Sequence, residues 1–182
     1  PVVQALLSHG ADPDLPGTGG ITPFMWAAVL NNSDPEQEKI ALALLDAGNP
    51  DLKRRLNAHA RGTGFSSLST AILKRLIEAG CDVNERFFVS KQSPLHLLCT
   101  REEPPERVIP LIELLIKAGA DPNQLDVDGL TPLMACNSPE IALCLMNNGA
   151  NPSLRNEDGQ TAYDFHMKNG YREIAEAIKK WQ

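Results

Sequence analysis

The chain has 182 residues and a net charge of −6, and 42% of its residues are hydrophobic, which is the composition of a soluble globular protein. The acidic balance argues against nucleic acid as the main partner, because such binding depends on Lys and Arg displacing counterions from phosphates. No stretch approaches the roughly 18 consecutive apolar residues of a membrane-spanning helix, so no membrane insertion is predicted. The opening PVVQALLSHG has neither an initiating Met nor a basic leader, which indicates a fragment of a longer chain.

The four cysteines, Cys81, Cys99, Cys136 and Cys144, form no Cys-x-x-Cys pair. A chain of this length needs no disulfide framework, so we predict reduced, buried thiols in a cytoplasmic protein. No second His or Cys lies at zinc-finger spacing, and packing therefore explains these cysteines better than metal binding does. We expect no metal and no cofactor.

Taken in chain order, five glycines end five similar segments: Gly10, Gly48, Gly80, Gly119 and Gly149. The residues eight, seven, four and three positions before each glycine are apolar in every case. Apolar pairs one helical turn apart predict a short amphipathic helix, and a glycine directly after it predicts a left-handed residue that closes the helix. The sequence therefore predicts five copies of the same short helix.

The segments after these glycines also recur. GADPD, GCDVN, GADPN and GANPS place Asp or Asn two residues after the glycine, where a short polar side chain folds back onto a turn. Asp-Gly pairs at 128–129 and 158–159 predict the tips of hairpin-like fingers. Helix caps are then predicted at Thr22, Ser93, Thr131 and Thr161, since a hydroxyl caps a helix and proline follows the first three.

This arrangement resembles the ankyrin repeat over nearly the whole chain. The matching stretches are GADPNQLDVDGLTPLM at 119–134, SPLHLL at 93–98, ITPFMWAA at 21–28 and EDGQTAYDF at 157–165. The resemblance implies an all-α fold, an ankyrin-repeat α-solenoid of antiparallel helix pairs joined by β-hairpin-like fingers. It implies five repeats, the first partial and the third irregular, in a single domain over 1–182. The approximate units are 1–13, 14–51, 52–83, 84–122 and 123–152, with 153–182 as a capping repeat.

The third unit departs from the pattern. A cap at Ser66 would leave only 14 residues before Gly80, too few for two helices and a turn. Either this repeat is genuinely short or residues are missing between about Thr70 and Lys74. We favour missing residues, which an interruption of the chain within 69–75 would reveal.

Candidate catalytic groups find simpler explanations. His96 stands at the position where the resemblance implies a structural histidine that links adjacent repeats. Asp164 and His166 have no nucleophile beside them, so we predict a solvated surface histidine rather than part of a catalytic triad. The glycines of GTGG, 17–20, lack the Gly-Lys-Ser/Thr sequence of a phosphate-binding loop. The sequence thus predicts no enzyme.

Binding remains. The resemblance implies that a protein partner lies on the concave face, made of finger tips and inner positions of the first helices. Trp26 is either a contact residue or a cover for its own repeat, and the sequence leaves both open. Phe87 and Phe88 are adjacent, so both cannot point inward on an extended backbone. The predicted partner-binding residues are Trp26, Arg86, Phe87, Phe88, Lys91, Leu125, Asp126, Asp128, Arg155 and Glu157.

The sequence therefore predicts a monomeric, non-catalytic scaffold for protein–protein interaction. The alternative is a substrate- or host-targeting ankyrin segment of a larger multidomain enzyme or pathogen effector, and nothing within 1–182 distinguishes the two. The resemblance also implies Asn84 as a candidate for side-chain hydroxylation.

Overall fold

The structure, a computed structural model, describes residues 2–18, 22–29, 35–48, 69–86 and 89–181. Helices and turns account for these residues, and none of them lies in a β-strand, which confirms the all-α prediction. The chain divides into two compact units, Pro1–Asp82 and Val83–Gln182. This division falls within one residue of the predicted border between the units 52–83 and 84–122. The single domain remains a prediction.

The first unit contains four described helices: α1 (Val2–Ser8), α2 (Pro23–Val29), α3 (Pro35–Ala47) and α4 (Thr70–Glu78). Helix α3 packs against each of the other three. Its apolar stripe supplies the centre of the core together with that of α4. The buried residues of these two helices are Ala41, Leu44, Leu45, Ile72, Leu73 and Leu76.

Helix α4 bears on the irregular third repeat. The Ser69 hydroxyl caps the helix by accepting a hydrogen bond of 3.3 Å from the Ile72 backbone nitrogen. From there the helix runs without a break, so the interruption predicted within 69–75 is absent. The first helix predicted after Ser66 lies outside the described residues.

The second unit contains three helix pairs: α5 (Pro94–Cys99) with α6 (Pro105–Lys117), α7 (Pro132–Ala135) with α8 (Pro139–Asn147), and α9 (Ala162–Lys168) with α10 (Arg172–Trp181). The first helices α5, α7 and α9 pack in sequence order, and so do the second helices α6, α8 and α10. Each pair is joined by a short turn, which places its two helices antiparallel. The core therefore lies between sequence neighbours, as in a repeat protein.

The predicted helix caps are confirmed in this unit. The hydroxyls of Ser93, Thr131 and Thr161 each accept a hydrogen bond from the backbone nitrogen three residues on, at 3.5, 3.3 and 3.3 Å. Pro94 and Pro132 follow at the first helical position, where the missing N–H needs no partner. The caps thus fix where the first helix of each pair begins.

The glycine predictions hold with one exception. Gly10, Gly80, Gly119 and Gly149 have φ values of 84, 82, 97 and 95°, in the left-handed region. Gly48 does not, and that prediction is wrong. The reason for glycine there is space: a Cβ on Gly48 would lie 2.8 Å from an oxygen of the Asp14 carboxylate.

Candidate functional site

Three fingers project from the second unit, one before each first helix. We call residues 83–92 the first finger, 121–130 the second and 151–160 the third; residues 87 and 88 of the first lie outside the described part of the chain. The fingers are built from turns rather than strands in every residue that is described. Equivalent backbone hydrogen bonds close the second and third, from Asp126 N to Leu130 O at 2.9 Å and from Asn156 N to Gln160 O at 3.0 Å.

Asparagine side chains tie the first two fingers to the turn of the next repeat. The Asn84 amide donates to the Gly119 carbonyl at 2.8 Å and accepts from the Asp121 nitrogen at 2.8 Å. Asn123 repeats both bonds one repeat later, donating to the Gly149 carbonyl at 3.0 Å and accepting from the Asn151 nitrogen at 2.7 Å. An amide both donates and accepts, whereas the carboxylate of Asp only accepts, so Asp does not reproduce both bonds.

The first two fingers are also bonded near their tips. The Arg86 guanidinium donates to the Lys91 carbonyl at 3.0 Å and to the Leu125 carbonyl on the second finger. The Val127 nitrogen donates to the Ser90 carbonyl at 2.9 Å. Arg86, predicted as a contact residue, therefore holds two fingers together, and its substitution is expected to change stability.

The second and third fingers approach each other at Gly129. A Cβ at this glycine would lie 3.0 Å from the backbone nitrogen of Glu157, so only glycine fits without a shift. Its φ of 71° confirms the left-handed conformation predicted for the Asp-Gly tip. The finger side is thus fixed by backbone contacts between neighbours.

Asp126, one of the predicted contact residues, is mostly buried within its own finger. It is 8% exposed, and one carboxylate oxygen accepts hydrogen bonds from the Asp128 and Leu130 nitrogens, both at 2.9 Å. Asn156 holds the equivalent place in the third finger and accepts from the Gln160 nitrogen at 2.8 Å. Asp126 therefore shapes the finger, and little of it is left for a partner.

Apolar side chains stand exposed at the finger tips. Val89 is 82% exposed, Leu125 42% and Val127 45%. Val89 and Val127 are neighbours, because the bond from Val127 to Ser90 joins the two tips. The sequence prediction included Leu125 and left out the two valines.

A groove of about 330 Å³ lies between the second and third fingers. Asp128, Glu157 and Asp158 are exposed acidic residues that line it. The remaining lining residues are Leu130, Asn156 and Phe165. Carboxylates thus border a groove with a half-buried aromatic ring among its walls.

Two cations lie close to this groove. Lys168 forms an ion pair with Asp158 at 3.7 Å, and both side chains are more than 60% exposed. The Arg155 guanidinium donates to the Gly159 carbonyl of its own finger at 2.5 Å. Within the part of the chain that the structure describes, neither Asp128 nor Glu157 forms an ion pair. The groove therefore keeps a negative character.

The remaining predicted contact residues fall into three groups. Lys91 is exposed and adopts a φ of 51°, which is uncommon for a residue other than glycine. Phe87 and Phe88 lie outside the described residues. Trp26 belongs to the first unit, where it is 53% exposed and lines an apolar groove of about 360 Å³ between α1, α2 and α3. Trp26 thus keeps about half of its surface exposed, and both of its roles, contact residue and cover of its own repeat, remain predictions.

Two histidines that are buried in the described part of the chain link neighbouring repeats. His96 is fully buried, its Nδ1 accepts from the Ser93 nitrogen at 3.2 Å, and its Nε2 lies 3.0 Å from the Leu130 carbonyl. Burial lowers the pKa of His96, which keeps the ring neutral. The structural role implied for this residue agrees with these bonds.

His166 corrects the prediction of a solvated surface residue. It is 1% exposed, and its Nε2 lies 2.9 Å from the Leu133 carbonyl of the preceding repeat. Burial lowers its pKa, and the ring packs edge-on against Tyr171. The sequence signal that we missed is position: His166 lies in the middle of a short first helix, where side chains contact the neighbouring helix.

The cysteines are buried thiols, as predicted. Burial raises the pKa of Cys136 to about 12 and that of Cys144 to about 11. Thiols protonated at neutral pH are poor nucleophiles and poor metal ligands. Among the described residues, no group of three His, Cys, Asp or Glu side chains is placed to hold a metal ion. Nor is any described helix both long and apolar enough to cross a bilayer.

The asparagine bridges are the main feature that sequence reasoning missed. Asp14, Asn84 and Asn123 all stand four residues after a helix-ending glycine, and this regular spacing was the available signal. Both polar atoms of the Asn84 side chain bond to backbone. Hydroxylation of Asn84 remains a prediction.

Comparison with known proteins agrees with this geometry. A family model described as "Ankyrin repeats (3 copies)" matches residues 66–156 and 105–180. The chain is 30% identical to human "Ankyrin repeat and SOCS box protein 6" over 154 residues, which cover 70% of this chain and 35% of that protein. It is 34% identical to human "Ankyrin repeat domain-containing protein 37" over 109 residues, 58% of this chain and 66% of that protein.

A third relative is human "Protein phosphatase 1 regulatory subunit 27". Identity is 39% over 71 residues, which cover 37% of this chain and 46% of that protein. The chain therefore spans about a third of the length of the first of these relatives and less than half of the length of this one.

Proposed function

The chain belongs to the ankyrin repeat family, and from that premise we propose that it is a non-catalytic scaffold that binds a protein partner on the finger side of Val83–Gln182. Ankyrin repeats are generally protein–protein interaction modules. The observation that carries the proposal is the exposure of Val89, Leu125 and Val127 on fingers whose backbones are bonded to one another. Exposed apolar groups on a pre-organised surface bind with little loss of conformational entropy.

The same surface includes Asp128, Glu157 and Arg155 from the predicted set, all exposed. Lys91, on the first finger, is exposed as well. Trp26 and its groove form a second candidate surface on the first unit, since tryptophan is favoured at binding hot spots. We also propose a cytoplasmic location, because the four buried cysteines form no disulfide and free thiols are typical of that compartment, and a monomeric state.

The experiment is affinity purification from the source cells followed by mass spectrometry. The finger variant carries Leu125→Asp and Val127→Asp, and the matched control carries Leu143→Asp, which alters a leucine that is 38% exposed on α8. We expect a partner that the wild type and the control retain and that the finger variant loses, with all three proteins melting alike. A partner lost by the control and kept by the finger variant would place binding elsewhere.

The second candidate is a targeting segment within a larger enzyme or pathogen effector. The length of the match supports this candidate. The chain covers 35% of "Ankyrin repeat and SOCS box protein 6", a protein whose name pairs ankyrin repeats with another element. Mass spectrometry of the protein isolated from its source cells decides between the two. A second domain with its own catalytic activity supports the targeting role, and a chain made of repeats alone supports the scaffold.

A further inference from the structure

We propose that the finger side takes an extended partner segment that places an apolar side chain on the tips of the first two fingers and a Lys or Arg side chain in the groove between the second and third. This inference rests on the proposed function, since it names the chemistry of the partner that the scaffold binds. The two halves of the surface are continuous, because Val127 and Asp128 are consecutive residues.

The apolar half is open and held in place. Val89, Leu125 and Val127 together expose apolar surface that no described residue covers, each at 42% exposure or more. The Arg86 bond to the Leu125 carbonyl and the Val127 bond to the Ser90 carbonyl fix the backbone beneath them. An apolar side chain of a partner therefore finds a surface that needs no rearrangement.

The charged half selects a cation by charge complementarity. Asp128 and Glu157 border the groove from opposite fingers, and the nearest lysine, Lys168, is directed to Asp158. The half-buried Phe165 ring and Leu130 supply apolar wall for the stem of a long side chain. Lys and Arg combine such a stem with a charged end, and a guanidinium or ammonium group over an aromatic ring gains a further attraction.

The spacing of the fingers sets the spacing in the partner. Neighbouring helices pack about 8–10 Å apart, so successive fingers are separated by a similar distance. An extended chain advances about 3.3 Å per residue, so about three residues span one finger interval. The apolar and basic residues of the partner are therefore expected about three positions apart.

The probe is a library of random 12-residue peptides displayed on phage and selected on the immobilised wild-type protein. We expect the enriched peptides to contain a basic residue about three positions from an apolar one. A synthetic, fluorescently labelled copy of the most enriched peptide is then titrated with the wild type and three double variants. Loss of affinity at higher KCl concentration is also expected, because exposed charge pairs are screened by salt.

The charge variant carries Asp128→Asn and Glu157→Gln, and it should bind the peptide at least tenfold more weakly. The apolar variant, Leu125→Asp with Val127→Asp, should lose binding as well. The matched control replaces two exposed acids of α10, Glu173→Gln with Glu176→Gln, and should bind like the wild type. Unchanged circular dichroism and melting of each variant show that it is folded.

The outcomes separate this inference from the proposed function. The enriched peptides could lack basic residues, bind equally to the wild type and the charge variant, and fail to bind the apolar variant. That result would overturn the basic partner and leave the finger side as the binding surface. Peptides bound equally by the apolar variant would overturn both. A selection that enriches no sequence would overturn the proposal that the partner binds as an extended segment. The affinity purification would then test whether a folded partner binds the finger side.

Discussion

Asn123 provides the sharpest test of how neighbouring repeats are held together. Its amide bridges two backbone groups of the next repeat, the Gly149 carbonyl at 3.0 Å and the Asn151 nitrogen at 2.7 Å. Asn123→Ala removes both bonds. A neutral hydrogen bond contributes about 1 kcal/mol net to stability, so the alanine variant should lose about 2 kcal/mol of the free energy of unfolding.

Asn123→Asp separates the donor from the acceptor. The carboxylate still accepts from the Asn151 nitrogen, but it presents a negative oxygen to the Gly149 carbonyl where the amide donated a proton. We expect a loss of about 1–2 kcal/mol, because one bond is gone and two oxygens now face each other in a partly exposed site. If the aspartate variant were as stable as the wild type, the donated bond to Gly149 would contribute nothing.

The assay is urea unfolding followed by circular dichroism, with the slope of the transition checked for each variant. The matched control is Ser153→Ala, because Ser153 stands four residues after Gly149 as Asn123 stands after Gly119, and its side chain is exposed. This control should change stability by less than about 0.5 kcal/mol. Asn123→Ala within the same small range would refute the reasoning.

The remaining predictions concern backbone strain, acid stability and thiol reactivity. Gly119→Ala should lower the free energy of unfolding by about 1–2 kcal/mol through its positive φ alone, since nothing lies within 4 Å of the added carbon. Gly129→Ala should lower it further, because Glu157 stands 3.0 Å from the added carbon. Equal losses for the two variants in urea unfolding would contradict the crowding at Gly129. Burial lowers the pKa of His166, so the unfolded chain binds more protons than the folded one. The contribution of this residue to stability should therefore be full above about pH 6.5 and fall below it. Urea unfolding at pH 7.5 and 5.5 should show that the stability of His166→Gln depends less on pH than that of the wild type. The four buried cysteines should react with a thiol reagent at pH 8 only after unfolding, and rapid labelling of the native protein would show an opening that the structure lacks.

The fold was predictable because its signals are local and repeated. Caps at Ser93 and Thr131, and left-handed glycines such as Gly119, depend on the chemistry of one or two neighbouring residues. Repetition then removes the ambiguity of each short signal. Gly48 shows the limit: the Asp14 carboxylate, distant in the sequence, crowds this position, and the sequence does not distinguish crowding from a positive φ.

The site was less predictable, because exposure depends on the neighbouring repeat. In the sequence Asp126 looks like an acidic surface residue, yet its carboxylate accepts hydrogen bonds from backbone nitrogens of its own finger. His166 looks polar, yet the preceding helix buries it. Arg86 looks available, yet a carbonyl of the second finger accepts its proton. Each of these outcomes is set by residues 30 or more positions away or by the detailed path of a turn.

The asparagine bridge has a consequence for how such a protein tolerates change. Asn84 reaches its partner glycine across 35 residues and Asn123 across 26, yet the two bridges are the same. Most of the difference lies in the helix pair: α5 and α6 have 6 and 13 residues, whereas α7 and α8 have 4 and 9. Insertions and deletions there leave the spacing of the fingers intact, so recognition and chain length are free to evolve separately.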